Sequence, residues 1–195
     1  RIVTPAWRLI IDEQPGPGAW NMAVDAAILD ARAAGRAPAT LRLYTWARPT
    51  VTLGRFQSDS DIDRALCERR GVDVVRRPTG GRGVLHDDEL TYSVIASVDD
   101  GVPRGVTASY RFFSRGLVGA YHRLGVDAAL VRRERGLSGS AACYLHATAA
   151  DLAVGALKVS GSAQVWSDSS VLQHGSFTIT RDVDLEAGVF GVGAG

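Results

Sequence analysis

The spacing of apolar residues along the chain predicts three helices. "AWNMAVDAAILDARAAG" (residues 19–35) is an alanine-rich segment in which Asn21 is expected to be the N-cap and Gly35 to close the helix. "SDIDRALCERRG" (60–71) predicts a short helix. "TASYRFFSRGLVGAYHRLG" (107–125) predicts a long amphipathic helix, because its apolar residues return at helical spacing.

Shorter segments with alternating or continuous apolar residues predict strands. Helices and strands are mixed without a regular βαβ alternation, which favours an α+β fold with a mixed, mostly antiparallel sheet flanked by helices. The predicted strands are 41–46, 50–54, 72–77, 90–98, 128–133, 151–166 and 171–180, and the turn "SDSS" joins the last two.

Length and charge exclude several classes of protein. The 195 residues suffice for one domain with a buried core, so 1–195 is interpreted as a single domain. No stretch approaches the roughly 20 apolar residues of a membrane span, and the start "RIVTPAWRLI" lacks the apolar core of a signal peptide. A cytoplasmic protein with no membrane partner is therefore expected. The net charge of +1 gives no argument for binding nucleic acid.

The two cysteines have different settings. Neither belongs to a CxxC pair or a Cys/His cluster, so no metal site is expected. Cys67 lies in a predicted helix and is expected to be a small buried residue. Cys143 lies among small residues and is followed by Lys158, the only lysine of the chain. A lysine held near a cysteine favours the thiolate nucleophile, whereas a solvated surface position is the ordinary alternative for a single lysine.

A glycine-rich segment, "RRPTGGRGVLHD" (76–87), follows one of the predicted strands. A turn in which glycines supply positive φ is the simplest explanation. However, the segment also carries Arg77 and Arg82, which a plain turn does not need. Exposed backbone N–H groups beside guanidinium groups suit a phosphate or a polarised carbonyl. The segment matches neither a Walker A loop nor a dinucleotide fingerprint.

Two long motifs, "RRPTGGRGVLHDDELTYSV" and "KVSGSAQVWSDSSVLQHGSF", closely resemble the biotin/lipoate protein ligase superfamily. "WRLIIDEQPGPGAWNMAVDAAIL" and "RPTVTLGRFQ" fit its N-terminal part, so the resemblance covers most of the chain. Within the superfamily the chain looks most like the octanoyl-carrier-protein:protein octanoyltransferases, which use a cysteine fifteen residues before the motif lysine. Cys143 and Lys158 have this spacing.

The resemblance implies a fold and a set of site residues. The fold would be that of the catalytic core of biotin ligases and class II aminoacyl-tRNA synthetases. Cys143 would carry an acyl thioester and Lys158 would lower the pKa of its thiol, with no metal and no cofactor. The substrate-binding residues would be Arg77, Gly80, Gly81, Arg82, Gly83, Val84, Leu85, His86, Gly161, Ser162, Ala163 and Gln164.

The activity implied is transfer of an octanoyl group from acyl carrier protein to a lysine of a lipoyl domain, such as glycine cleavage H protein or an E2 subunit. The acidic donor is expected to dock on exposed arginines, because opposite charges attract at a surface. The candidates for this docking face are Arg69, Arg70, Arg132, Arg133 and Arg135.

Alternatives remain open at this point. An ATP-dependent lipoate–protein ligase would use the same loop with MgATP to form lipoyl-AMP, and Cys143 would then be incidental. Asp151 favours this reading, since the resembling transferases tend to carry glutamate there. A non-catalytic acyl-binding module would not need the cysteine, the lysine and the loop together. A biotin ligase fits less well, because its loop differs in order from "GGRG". The family usually continues with a further helical segment, so a C-terminally shortened member is expected.

Overall fold

The computed structural model describes residues 6–131, 151–155 and 157–191. Two short 3₁₀ turns, at Asp59–Asp61 and Val98–Asp100, accompany the regular elements. These elements are, in chain order, β1 (Arg8–Ile11), α1 (Gly18–Ala33), β2 (Thr40–Tyr44), β3 (Thr50–Leu53), α2 (Arg64–Arg69), β4 (Asp73–Arg76), β5 (Val84–His86), β6 (Glu89–Ser97), α3 (Val106–Arg123), β7 (Ala129–Leu130), β8 (Leu152–Val154), β9 (Leu157–Ser167), β10 (Ser170–Thr178) and α4 (Val183–Phe190).

The strands form two sheets. The larger has the order β1-β2-β6-β10-β9-β8-β7, and the smaller has the order β4-β3-β5. Only β1 with β2 and β3 with β4 are parallel among the described pairs. The predicted α+β fold with a mixed, mostly antiparallel arrangement is therefore confirmed, although the strands divide between two sheets.

Helix α1 lies between the two sheets. It packs on β6, β10 and β9 of the large sheet and on β4 of the small one. The opposite face of the large sheet packs against α3 through Phe113, which joins a cluster with Tyr92, Val94 and Val171. The small sheet has a separate core, in which α2 and α4 cover β3. The space between the two sheets is therefore bordered by α1.

The start of α1 differs from the prediction. The helix begins at Gly18 after Pro17, without a side-chain cap, and Asn21 lies within its first turn. The Asn21 amide is fully buried and donates hydrogen bonds to the carbonyls of Gly16 and Thr45. The N-cap prediction is wrong, because this side chain instead joins the loop before α1 to the chain after β2 through hydrogen bonds. Gly35 has φ +69° just beyond the helix, as its predicted closing role requires.

Three elements were not predicted, and two predicted ones are divided. β1 and β5 are only four and three residues long, and α4 follows the last predicted strand. The predicted helix 60–71 begins as a 3₁₀ turn, and α2 starts only after Asp63, whose carboxylate caps it. The predicted strand 151–166 divides into β8 and β9 around Gly155, which has φ +58°.

The hairpin between β9 and β10 fixes the side chains that matter for the site. Ser167 pairs with Ser170 across the predicted turn, and Asp168 adopts the left-handed conformation with φ +52°. This register places Ala163 beside His174. Because side chains alternate between faces along a strand, His174 and Ser176 point to the same face of the sheet.

Candidate active site

A pocket lies where the two sheets meet. It encloses about 440 Å³, part of it open to solvent. Its walls come from α1, from the end of β2, from the small sheet, and from β6, β9 and β10 of the large sheet. The lining residues are Met22, Tyr44, Trp46, Thr52, Arg77, Val84, His86, Thr91, Gly161, Ser162, Ala163, His174, Gly175 and Ser176.

Arg77 holds the glycine-rich loop from within. Its side chain is buried, and its guanidinium donates to the carbonyl oxygens of Thr52 (2.9 Å), Gly80 (2.8 Å) and Arg82 (2.7 Å). It also donates to the hydroxyl of Thr79 at 3.1 Å. Arg77 therefore positions the loop through contacts with the protein itself.

The bound carbonyls fix the orientation of the loop amides. In a planar trans peptide the C=O and N–H groups point in opposite directions. Because the carbonyls of Gly80 and Arg82 face Arg77, the N–H groups of Gly81 and Gly83 point away from that guanidinium. Amides arranged in this way can bind an anion or a polarised carbonyl. The loop thus has the donors that the sequence suggested.

Close packing explains why this loop needs glycine. Gly81 has φ +94°, a conformation that L side chains rarely adopt. A Cβ atom on Gly54 would lie 1.9 Å from the carbonyl oxygen of Gly81, so the chain after β3 touches the loop backbone directly.

Two buried histidines line the pocket from opposite sheets. His86 of β5 stacks on Trp46, with ring centroids 4.2 Å apart, and its Nδ1 lies 2.7 Å from Glu89 Oε1. His174 of β10 contacts the buried carboxylate of Asp25 through Nδ1 at 3.3 Å. Burial alone would raise the pKa of Glu89, but His86 and the hydroxyls around the carboxylate hold that pKa below its ordinary value.

Lys158 is buried at the edge of the same pocket. Its Nζ lies 3.0 Å from Asp151 Oδ2, and the two side chains are 5% and 1% exposed. A Cβ atom on Gly161 would lie 3.3 Å from this Nζ, so the ammonium rests against a residue of the pocket wall. A solvated surface position for Lys158 is therefore wrong. A cation at this place can stabilise a thiolate or a developing oxyanion.

Six of the twelve predicted substrate-binding residues line the pocket, namely Arg77, Val84, His86, Gly161, Ser162 and Ala163. Gly80, Gly81 and Gly83 belong to the loop that Arg77 holds but do not line the pocket, and three more lie elsewhere. Leu85 points away from Val84 and His86 and packs against the core of the small sheet. Gln164 points toward α3, where it accepts a hydrogen bond from Ser109. Arg82 is exposed, and its carbonyl is the group that Arg77 binds. Strand alternation accounts for the first two.

One of the two cysteines lies in the described part of the chain, and the other does not. Cys143 lies outside the described residues, so its thioester role stays a prediction. Cys67 is 2% exposed within α2, and burial raises the pKa of its thiol, which confirms the core position predicted for it. Of the predicted docking arginines, Arg69 and Arg70 are exposed, and the remaining three lie outside the described residues.

Sequence reasoning missed about half of the pocket. Met22 of α1 was assigned only to a helix, and Trp46 only to the end of a strand. Their role depends on how the two sheets meet, which no local pattern indicates. His174 could have been found, because it alternates with Leu172 and Ser176 on one face of a strand, where the other residues of that face are apolar or small. A histidine at such a position is expected to be buried and hydrogen-bonded.

Comparison with known proteins identifies the family. The family model "Lipoyl protein ligase A/B catalytic domain" matches residues 17–191. The chain belongs to this family. Octanoyltransferase LipM of Brevibacillus brevis is 43% identical over 188 residues, which are 92% of this chain and 68% of that protein. Octanoyltransferase LipM of Kyrpidia tusciae is 44% identical over 189 residues, which are 93% of this chain and 68% of that protein.

Solved structures agree with this assignment. A lipoate-protein ligase A bound with ATP superposes with a TM-score of 0.82 at 27% identity, covering 95% of this chain and 72% of that one. The protein Ta0514 of T. acidophilum with bound lipoic acid gives a TM-score of 0.81 at 26% identity, covering 95% and 73%. The lipoate-ligase-type fold expected from the motifs is confirmed.

No group of three or more histidine, cysteine, aspartate or glutamate side chains within 6–131, 151–155 and 157–191 is arranged to hold a metal ion. None of the helices in those ranges is long and apolar enough to cross a membrane.

Proposed function

We propose that this acyltransferase moves an octanoyl group from acyl carrier protein to a lysine of a lipoyl domain, through a thioester on Cys143. The enzyme class follows from the sequence similarity of this chain to several octanoyltransferases. The donor, the acceptor and the thioester are the parts that this proposal adds.

The reaction balances without a nucleotide. The Cys143 thiolate attacks the carbonyl carbon of the donor thioester, and the acyl carrier protein leaves as a thiolate that takes up a proton. The neutral amine of the acceptor lysine then attacks the Cys143 thioester. The bond from carbon to sulfur breaks, the amine loses a proton, and Cys143 returns as the thiol. The products are an octanoyl amide and free acyl carrier protein.

The buried ammonium of Lys158 is the observation that carries the proposal. It is held by Asp151 and rests against Gly161 at the pocket wall. Both steps pass through an anionic tetrahedral species, and a fixed cation in a site with little water stabilises such a species strongly. The same cation favours the thiolate of a neighbouring cysteine.

The pocket and the loop support an acyl thioester as the bound group. Apolar side chains such as Met22 and Trp46 form one end of the pocket. The glycine-rich segment contributes Arg77 and Val84 to another wall. An apolar chain with a single polar carbonyl at its end suits a pocket that is lined in this way.

A basic surface on α3 supports an acidic donor. Arg111 and Arg115 are exposed and lie on one side of the helix, directly opposite Phe113 in the core; we call these two residues the basic ridge. No acidic residue occurs between Asp100 and Asp127 in the sequence. Because the chain as a whole has a net charge of +1, this concentration of positive charge is local.

The helix that carries the basic ridge packs on β9. On the inner side of α3, Tyr110 donates a hydrogen bond to the carbonyl of Ser162 at 3.1 Å, and Tyr121 donates to that of Val159 at 2.9 Å. Both acceptors belong to β9, the strand that carries Lys158. An acidic carrier on the basic ridge would therefore dock on the outer side of the helix that packs on β9, the strand that carries Lys158.

An ATP-dependent lipoate ligase is the second candidate. The similarity to a lipoate-protein ligase A bound with ATP favours it, as does a loop whose outward amides could bind a phosphate. In that reaction Cys143 would have no chemical role.

Transfer to a lipoyl domain under two conditions tests the proposal. One reaction contains octanoyl-acyl carrier protein without nucleotide, and the other contains free octanoate or lipoate with MgATP. We expect modification in the first, and expect it to disappear in Cys143→Ala. Modification only in the second, with release of pyrophosphate and no effect of Cys143→Ala, would establish the ligase instead.

A further inference from the structure

Two chains of hydrogen bonds converge on Arg77. The hydroxyl of Thr52 accepts from the guanidinium at 3.2 Å and lies 2.9 Å from His86 Nε2. The hydroxyl of Thr79 accepts from it at 3.1 Å and lies 2.6 Å from His174 Nε2. Thr52 and Thr79 are both buried. The guanidinium, two hydroxyls and two imidazoles therefore form one continuous network around the loop.

The Nδ1 atom of each imidazole is hydrogen-bonded to a buried carboxylate. His86 Nδ1 faces Glu89 Oε1 at 2.7 Å, and His174 Nδ1 faces Asp25 Oδ2 at 3.3 Å. A carboxylate can only accept, so Nδ1 of each ring must donate. In a neutral ring Nε2 is then the acceptor, and each threonine must donate its hydroxyl proton to it. All hydrogen bonds in both chains thus run from Arg77 toward the carboxylates.

The charges around His174 fit a neutral ring. Burial lowers the pKa of His174, the nearby Arg77 and His86 lower it further, and Asp25 opposes this only in part. Burial alone would raise the pKa of Asp25, but its contacts with His174, Ser93 and Arg42 hold it below its ordinary value. An ionised Asp25 and a neutral His174 are the states that the hydrogen-bond direction requires.

The two chains differ in what they join. In the first, Thr52 and His86 both belong to the small sheet, so their bond lies within one wall of the pocket. In the second, Thr79 belongs to the loop of the small sheet and His174 to β10 of the large one. The bond between Thr79 and His174 therefore fastens the loop to the opposite wall.

We infer that His174 is a positioning residue for acyl transfer: through Thr79 it holds the glycine-rich loop, and with it the pocket-lining residues Arg77 and Val84, in place for the reacting acyl group. The inference rests on the proposed function and adds a residue to it. A displaced pocket wall weakens interactions made in the transition state more than it weakens substrate binding, so loss of the contact should lower kcat with little change in KM.

Two substitutions of His174 separate its two contacts. In His174→Asn the side-chain amide nitrogen takes the place of Nδ1, so the bond to Asp25 is kept and the bond to Thr79 is lost. In His174→Gln the amide oxygen takes the place of Nε2, so the bond to Thr79 is kept. We expect kcat to fall about tenfold in His174→Asn and in Thr79→Val, as for one buried hydrogen bond. His174→Gln should stay within about threefold of the wild type.

Thr52→Val is the matched control, because it removes the equivalent hydroxyl from the other chain. It should lower kcat less than Thr79→Val, since no contact between the two sheets is lost. Equal losses in His174→Asn and His174→Gln would mean that His174 only fills space. An unchanged kcat in Thr79→Val would overturn the inference as well.

A spectroscopic measurement tests the inference without relying on activity. Nitrogen-15 NMR of the histidine rings reports which nitrogen carries the proton, and at pH 8 we expect His174 to be protonated at Nδ1 alone. Protonation at Nε2 would overturn the inference whatever the kinetics. If the wild type transfers no octanoyl group while the ring has the expected proton, the proposed function fails and the hydrogen-bond geometry stands.

Discussion

The two faces of the large sheet bury different kinds of side chain. The face toward α1 carries Arg42 and His174, which contact the fully buried carboxylate of Asp25 on α1 at 2.8 Å and 3.3 Å. The face toward α3 is mainly apolar, with Val94 and Val171 packed around Phe113. Alternate residues of the same strands supply both faces, so the contrast arises within single strands.

The apolar face contributes mainly to the stability of the protein, whereas the polar face contributes mainly to its function. Burial of a charged group is unfavourable unless it is paired and hydrogen-bonded, so a buried polar face needs a reason other than stability. On the α1 face that reason is the pocket, whose wall contains His174. The α3 face, in contrast, stabilises the sheet and presents the basic ridge to solvent. Substitutions on the two faces should therefore change different properties.

Phe113→Ala tests the apolar face and should have a large effect on stability with little effect on catalysis. Truncation of a buried phenylalanine costs about 3–5 kcal/mol of the free energy of unfolding. We expect that loss in urea denaturation, while kcat/KM per folded molecule stays close to that of the wild type. A variant that remains as stable as the wild type but loses activity would contradict the division between the two faces.

Lys158→Met tests the pocket side and should have the largest effect on catalysis. Loss of a fixed cation at the developing oxyanion lowers kcat by about 10²–10³. The substitution also leaves Asp151 buried without this partner, which destabilises a protein by about 3–5 kcal/mol.

Lys158→Met combined with Asp151→Asn is therefore the control for folding. It should restore stability but not activity. In a Cys67→Ala background, alkylation of Cys143 is measured against pH. The pH at which the rate increases should be higher in both variants than in the wild type. An alkylation profile that does not move would rule out the proposed effect of Lys158 on the thiol.

The pH dependence of stability tests the buried imidazole. The pKa of His174 in the folded protein lies below its ordinary value of 6.5. As the pH falls below about 6.5, the unfolded chain takes up a proton that the folded protein does not, so stability decreases. The slope attributable to one group is at most about 1.4 kcal/mol per pH unit.

The comparison with His174→Gln isolates this contribution. Urea denaturation between pH 5 and pH 7 should show a steeper loss of stability for the wild type than for the variant. Parallel curves would mean that His174 does not titrate in this range.

Charge reversal on the basic ridge should have the smallest effect. Arg111→Glu with Arg115→Glu should raise KM for octanoyl-acyl carrier protein severalfold, and by less at high salt, since exposed charges are screened beyond about 10 Å at 0.1 M. KM for a small octanoyl thioester should not change. Arg69→Glu with Arg70→Glu provides the matched control on the face that the sequence suggested. A rise in KM only in this control would place the donor there instead.

The long periodic segments could be predicted from the sequence, because α1, α3 and the central strands carry enough apolar residues to show their spacing. β5 could not, since three residues are too few for a pattern. The site was predictable where chemistry is visible in one segment, as for Lys158 and the glycine-rich loop. His174 and Thr79 lie 95 positions apart. Their contact depends on how the two sheets meet, which local sequence does not encode.

Acylation of Cys143 is the most direct test of the proposed reaction. The protein is incubated with octanoyl-acyl carrier protein in the absence of ATP, and its intact mass and peptides are then measured. We expect one octanoyl group, attached to Cys143 and absent from Cys143→Ser, while Cys67 stays unmodified. A protein that transfers octanoate only with MgATP and never carries an acyl group on Cys143 would contradict the thioester mechanism.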